Sequence, residues 1–214
     1  YSLIHDDLPA MDDDDIRRGK PSCHKAFGED IALLAGDGLL TLAFQVAADA
    51  PVPALLLPQK QQAIGAISRR AGFQGMIGGQ FLDIAPGPEK MTQKALEAAA
   101  LKKTGALIIA AVEVGALVGR ARPRERKIMA DYGKNTGLAF QVRDDILDSG
   151  GEGKPAEFRR PNFVTFLGLE EAKRRLETLV HKAVAGLEKA SLRPDELRYL
   201  AHSLLGLNPE AKHG

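Results

Sequence analysis

The chain has 214 residues, 44% of them hydrophobic but only 5% aromatic and none Trp, a balance that fits one helical domain built on Ala, Leu and Gly and argues against a β-sandwich. Its 29 Lys and Arg against 28 Asp and Glu leave no overall polarity that would steer it to nucleic acid or an acidic membrane, so local charge must carry any electrostatics. Cys23 is the single cysteine, which excludes an internal disulfide and makes the cytoplasm the expected compartment.

Tyr1 begins inside an apolar run instead of at a Met, so the polypeptide is expected to extend upstream. Residues 1–7 read as the end of a helix. Pro9 then disturbs its continuation and makes 8–15 an irregular exit, and 17–28 reads as loop. Residues 30–48 carry Ile31, Leu34, Leu39, Leu42 and Val46 at helical spacing, with small residues between them that suit close helix contact. Pro51 and Pro53 stop that helix, and 58–83 reads as the next, with Gly72, Gly75, Gly78 and Gly79 pointing to a close neighbour. After the break at Pro86-Gly87-Pro88, residues 92–118 form one long helix or two abutting ones, with Thr104-Gly105 as the weak point. The longest apolar run, 105–118, carries Glu113 and falls short of the ~20 residues that cross a bilayer, so no membrane span is expected. Residues 124–148 repeat the helical pattern, 150–161 is a Gly/Pro-rich loop, and 169–190 and 194–205 complete the set, the last capped by Ser191 or Asp195. No strand pattern competes, so the expected fold class is all-α, a single helical bundle.

Two carboxylate clusters stand out. The first packs Asp6, Asp7 and Asp12 to Asp15 beside Arg17 and Arg18. Carboxylate oxygens suit magnesium, which in protein sites bridges to substrate phosphates, and arginine forks match phosphate oxygens. The second is Asp144-Asp145-Ile146-Leu147-Asp148, in which Asp144 and Asp148 share a helix face and Asp145 points elsewhere. On an ideal helix Asp6 and Asp12 stand roughly 240° apart, so spacing alone favours Asp13 unless the disturbance at Pro9 intervenes. Singly, either cluster also reads as a solvated helix end. His5 and His24 have no His or Cys at metal-ligand spacing and are set aside as ligands.

Their surroundings carry a resemblance. Asp6-Asp7 with Asp12, Arg17-Arg18-Gly19-Lys20-Pro21 and His24-Lys25-Ala26-Phe27-Gly28-Glu29 resemble the first aspartate-rich motif of the trans-isoprenyl diphosphate synthases. Gly78-Gly79-Gln80-Phe81-Leu82-Asp83, Lys103-Thr104-Gly105 and Gly137-Leu138-Ala139-Phe140-Gln141 followed by the second aspartate cluster resemble the later motifs of that family, in its order. The likeness runs from residue 1 to about 175. It implies that residues 1–214 are one synthase domain lacking the family's N-terminal part, a helical bundle around a deep cavity with the aspartate motifs on facing walls.

The resemblance further implies that Asp6, Asp12, Asp144 and Asp148 hold several Mg2+ ions. Arg17 would bind the diphosphate of an allylic substrate and Arg18 that of isopentenyl diphosphate. Lys103, Thr104 and Gln141 would fix the allylic end, and Gln80 and Asp83 would line the cavity. Read alone, Thr104 could bond its own backbone and Gln141 could be a buried amide in need of a partner. The loop after Asp148 is shorter than the family's, with Lys154 and Arg160 near the places of its two lysines. Tyr1 with Ser2, just before the first motif, would limit product length, a pattern similar to members that make farnesyl diphosphate, with geranylgeranyl diphosphate as the alternative. The family also implies a homodimer, for which helix 30–48 offers a contact surface.

Two rivals are weaker. A cyclising terpene synthase would carry an Asn/Ser/Glu metal triad in place of the second aspartate motif, and none is found. A non-catalytic metal-binding or scaffold protein would use the acidic run as a calcium sink, but the alternating Asp pattern ending in Gly and Glu is missing.

Overall fold

Helix propensity and apolar spacing are realised through most of the chain. The computed structural model describes residues 1–84, 91–149, 161–189 and 195–206, which form an all-α chain with one two-stranded hairpin. The break at Pro86-Gly87-Pro88, the cap at Ser191, and Lys154 and Arg160 lie outside the described residues. The fold divides into two compact units, residues 1–60 and 61–207.

In the first unit, α1 (Ser2–Asp6) ends as expected and leads into turns. The expected loop over 17–28 is instead a short hairpin, β1 (Ile16–Arg17) paired with β2 (Lys20–Pro21), followed by α2 (Cys23–Phe27). The hairpin turns through Arg18 and Gly19, both at positive φ (53° and 71°). This is the left-handed pair that a two-residue hairpin requires, and Arg in the first position hides a signal usually carried by Asn or Asp. α3 (Glu29–Asp49) has Glu29 and Asp30 in its first turn, where they complement the helix dipole, and ends before Pro51. α1 lies along it: Ala32 and Gly36 are buried, and His5 Nε2 lies 3.1 Å from the carbonyl oxygen of Leu33.

α3 corrects the expectation about apolar segments. With 21 residues, it is long and apolar enough to cross a bilayer by length and composition, which the 105–118 run is not. Asp37 near its midpoint lies 3.6 Å from His5, and Ile31, Leu34, Leu42 and Val46 are exposed on this chain.

In the second unit, the helix expected over 58–83 is broken. α4 (Leu57–Ala71) follows a 3-10 turn of the first unit (Ala54–Leu56), and α5 (Met76–Ile84) starts afresh after residues 72–75. Of the glycines that suggested a close neighbour, Gly79 has one, since a Cβ there would lie 2.1 Å from the backbone nitrogen of Lys103, whereas Gly72, Gly75 and Gly78 face local backbone at Ser68, Arg70 and Phe73. α6 (Gln93–Ala100) and α7 (Ala106–Val118) abut through a π-helical turn at Leu101–Gly105, where the Thr104-Gly105 weak point was read. α8 (Pro123–Ser149) is the central helix, packed on α7 and on α10 (Leu169–Glu188). A Cβ at Gly137 of α8 would lie 2.6 Å from Gly105 Cα, so the absence of a side chain there lets α8 meet the π turn.

The core of this unit joins Tyr132, Leu138, Val142 and Ile146 of α8 to Leu176, Val180, Ala183 and Leu187 of α10. Each large aliphatic side chain buried here contributes about 1.5–3 kcal/mol. Phe163, fully buried, enters from α9 (Phe163–Leu167), a short helix that apolar spacing did not reveal. Its signal was the capping box: Asn162 Oδ1 accepts from Thr165 N–H at 2.9 Å, and the amide of Asn162 donates to Thr165 Oγ1 at 2.8 Å. α11 (Asp195–Ser203) closes against α10, with Tyr132 donating its hydroxyl to the Leu197 carbonyl at 2.7 Å.

Candidate active site

The residues singled out from the sequence fall into two groups, one in each unit. In the first unit the chain leaves α1 at Asp7 and folds back on itself. Met11 donates its amide to the Leu8 carbonyl at 2.8 Å, and Asp12 donates to the Asp6 carbonyl at 2.9 Å. The ideal-helix separation of Asp6 and Asp12 therefore does not apply, and two half-buried carboxylates rise from adjoining backbone. Asp13, which spacing favoured, sits instead at a left-handed φ of 52° and is exposed.

Arg17 and Arg18 part company at the hairpin. Arg17 turns inward, where its Nε donates to both oxygens of Asp7 at 3.0 and 3.2 Å, its Nη2 also pairs with Asp7, and Asp14 lies 3.4 Å from Nη2. Asp7 is 2% exposed, so this pair is a strut with its carboxylate end buried that holds the turn to the hairpin. The bond to Asp7 holds the Arg17 guanidinium above its usual pKa. Arg18 is exposed at the turn. Arg17, Arg18 and Lys20 line one cleft of about 470 Å3 together with Asp7, Ser22 and Cys23, a concentration of cationic donors suited to an anion. Tyr1 packs its ring edge-on to His5, with ring centres 6.4 Å apart, and Ser2 opens α1 beside it.

The structure adds a group that the sequence reading set aside. Donor atoms of Asp13, Asp15 and His24 lie within 4.8 Å of one another and could hold a cation. His24 is buried, with Nδ1 3.0 Å from Ser22 Oγ. The companions of His24 are not a second His or Cys but carboxylates brought across the hairpin, where Ser22 N–H bonds to the Asp15 carbonyl. Lys25 also reaches Asp15 at 2.9 Å.

In the second unit the π turn presents Lys103 and Thr104. Lys103 pairs with Asp83 of α5 at 3.2 Å, both largely buried. Thr104 donates its hydroxyl to Gln141 Oε1 at 2.7 Å, which settles its partner in favour of α8. Gln141 Nε2 in turn donates to Asp145 Oδ1 at 2.9 Å. Asp145 is buried while Asp144 is half-buried and Asp148 exposed one turn further on, as the helical spacing required. Burial pushes the Asp145 carboxyl up to about 6, against the opposing effect of the Phe163 and Gln141 hydrogen bonds. Gln80 is 9% exposed, and its amide atoms have no hydrogen-bond partner among the described residues.

Chemically, Asp6 and Asp12 in the first unit, and Asp144 and Asp148 in the second, each offer hard oxygen donors of the type magnesium takes.

A family model described as "Polyprenyl synthetase" matches residues 1–184. The chain is 41% identical to the farnesyl diphosphate synthase of Escherichia coli (strain K12), over 97% of this chain and 74% of that one. It is 40% identical to the geranylgeranyl diphosphate synthase of Cyanophora paradoxa, over 85% and 63%. Among solved structures it resembles an FPP/GFPP synthase from Zymomonas mobilis with a TM-score of 0.84 and 37% identity, covering 96% of this chain and 71% of that one.

Proposed function

The chain belongs to the polyprenyl synthetase family, and from this we propose that it is a magnesium-dependent trans-prenyltransferase that condenses isopentenyl diphosphate with dimethylallyl or geranyl diphosphate to give farnesyl diphosphate. The observation that supports the reading is the fold-back that joins the Asp12 backbone to that of Asp6, because it removes the separation that an ideal helix would impose on the two carboxylates.

Asp6 and Asp12 would hold magnesium in the first unit, and Asp144 with Asp148 in the second. When bound, several such ions supply Lewis-acid stabilisation of the departing diphosphate. Arg18, at the lip of the cationic cleft, binds the diphosphate of isopentenyl diphosphate, and Arg17, steadied by Asp7, that of the allylic substrate. Lys103, Thr104 and Gln141 orient the allylic end. The allylic carbon–oxygen bond breaks with its electron pair leaving on the diphosphate. The double bond of isopentenyl diphosphate attacks the allylic cation, and loss of a proton leaves a chain five carbons longer. No protein nucleophile is required.

Tyr1 and Ser2 act at the floor of the cavity and set the length of the product. The Cyanophora paradoxa relative favours geranylgeranyl diphosphate as the second reading. Residues 1–214 act as one synthase domain. The exposed apolar residues of α3 support a homodimer contact there, and the lone Cys23 supports a cytoplasmic site of action.

The test is incubation of the protein with magnesium, isopentenyl diphosphate and each allylic diphosphate, followed by identification of the prenyl product. A fifteen-carbon product supports the main reading and a twenty-carbon product the second. Absence of condensation removes both.

A further inference from the structure

Asp145 is the buried member of the second aspartate cluster, 6% exposed. Both of its oxygens are engaged by N–H donors: Oδ1 accepts from Gln141 Nε2 at 2.9 Å, and Oδ2 accepts from the backbone amide of Phe163 at 2.7 Å. Facing two N–H donors, the carboxyl serves as acceptor on both oxygens. Gln141, one turn earlier on α8, must therefore aim its NH2 at Asp145 and its oxygen at Thr104. The Thr104 hydroxyl, 2.7 Å from that oxygen, has only one direction left and donates. The Phe163 amide, at the first position of α9, cannot reverse. The sense of every hydrogen bond from Phe163 to Thr104 is thus dictated by one acceptor-only group.

We infer that Asp145 is a positioning residue for the condensation: it commits the Thr104 proton to Gln141, so that the hydroxyl turns its lone pairs to the allylic end of the substrate. The inference rests on the prenyltransferase reading. An oxygen lone pair stabilises the positive charge that develops as the allylic diphosphate departs, and a hydroxyl hydrogen aimed at the same place opposes it. Asp145 so differs in task from Asp144 beside it, although both belong to one acidic run.

Asp145→Asn tests the direction. The new amide must give its oxygen to the Phe163 N–H, so its NH2 faces Gln141. Gln141 then turns over, and the Thr104 hydrogen is driven off. Expected is a fall in kcat of roughly 10- to 100-fold, the worth of one charge-assisted hydrogen bond, with KM for isopentenyl diphosphate within about threefold of wild type. Asp145→Asn combined with Gln141→Glu restores an acceptor-only group next to Thr104 at unchanged net charge, and should regain most of the lost kcat. In a Thr104→Val background there is no hydroxyl to direct, so Asp145→Asn should cost no more than about threefold there.

A wild-type kcat in Asp145→Asn overturns the inference. So does a loss that Gln141→Glu fails to recover, or one that persists undiminished with Val at 104, since a purely structural strut to Phe163 would behave that way. If the wild-type protein performs no condensation, the prenyltransferase reading falls first. Thermal unfolding of the same variants then reads the hydrogen-bond chain alone: recovery of Tm by Gln141→Glu supports its polarity, and no recovery removes it.

Discussion

The backbone amide of Asp12 donates to the carbonyl of Asp6 at 2.9 Å, so two residues that an ideal helix would point apart are held side by side. This bond brings the backbone of Asp12, not that of Asp13, against Asp6. Asp12→Asn should lower kcat by roughly 100-fold or more and raise the magnesium concentration needed for half activity, because it removes one ligand charge. Asp13→Asn should change kcat by less than about fivefold. Magnesium titrations of both variants under saturating substrate check this, and equal losses would return Asp13 to the place that linear spacing gave it.

The Asp7–Arg17 pair makes a second prediction. Asp7 is buried, so Asp7→Asn leaves the Arg17 guanidinium without its main counter-charge. Breaking such a pair from one side costs about 3–5 kcal/mol when both groups are buried, and Arg17 is more than a third exposed, so a loss nearer 1–2 kcal/mol is expected. Urea unfolding measures the loss. Arg17→Lys should retain part of the stability, since a point charge replaces the fork but cannot reproduce its paired geometry.

Gly79 tests how closely α5 must approach the π turn. A methyl group in Gly79→Ala would stand 2.1 Å from the Lys103 nitrogen and 2.6 Å from the Lys102 carbonyl carbon, both backbone atoms that cannot swing aside. Expected are a loss of about 1–3 kcal/mol in unfolding free energy and a rise in KM for the allylic diphosphate as Lys103 and Thr104 shift. A Tm within a degree of wild type, with unchanged KM, would show that the helices can part without consequence.

Tyr1 rests edge-on against His5 at the start of α1. If its ring closes the floor beneath the growing chain, Tyr1→Ala should shift the products of an extended incubation toward chains longer than fifteen carbons. Chromatography of the dephosphorylated products reads this. A product spectrum identical to wild type assigns Tyr1 to packing alone.

Much of the helical plan was legible because apolar spacing is a local property. α3, α8 and α10 lie close to where their periodicity put them, and the Thr104-Gly105 weak point became the π turn. The breaks were less legible. Residues 72–75 interrupt what reads as one amphipathic run, and the hairpin turns on an Arg whose left-handed conformation no composition rule signals. The apolar character of α3 is hard to read because its apolar residues are interspersed with Gly, Thr and Asp37 instead of forming an unbroken run.

For the candidate site, the sequence by itself determined the residue types on offer: carboxylates suited to a hard cation, arginines suited to phosphate, and a Lys-Thr pair with a glutamine downstream. These are matters of residue type and order, which do not depend on distance in space. Only the tertiary structure decided the allocation. It joined Asp12 to Asp6, spent one side of Arg17 on Asp7, gathered His24 with Asp13 and Asp15, and turned Asp145 inward to Gln141 and Phe163. Those assignments follow from contacts closed between residues up to 18 apart in the chain, as for Asp145 and Phe163, and the bond from Thr104 to Gln141 spans 37. Such bonds need packed helices to hold donor and acceptor within 3 Å, a condition that periodicity does not encode.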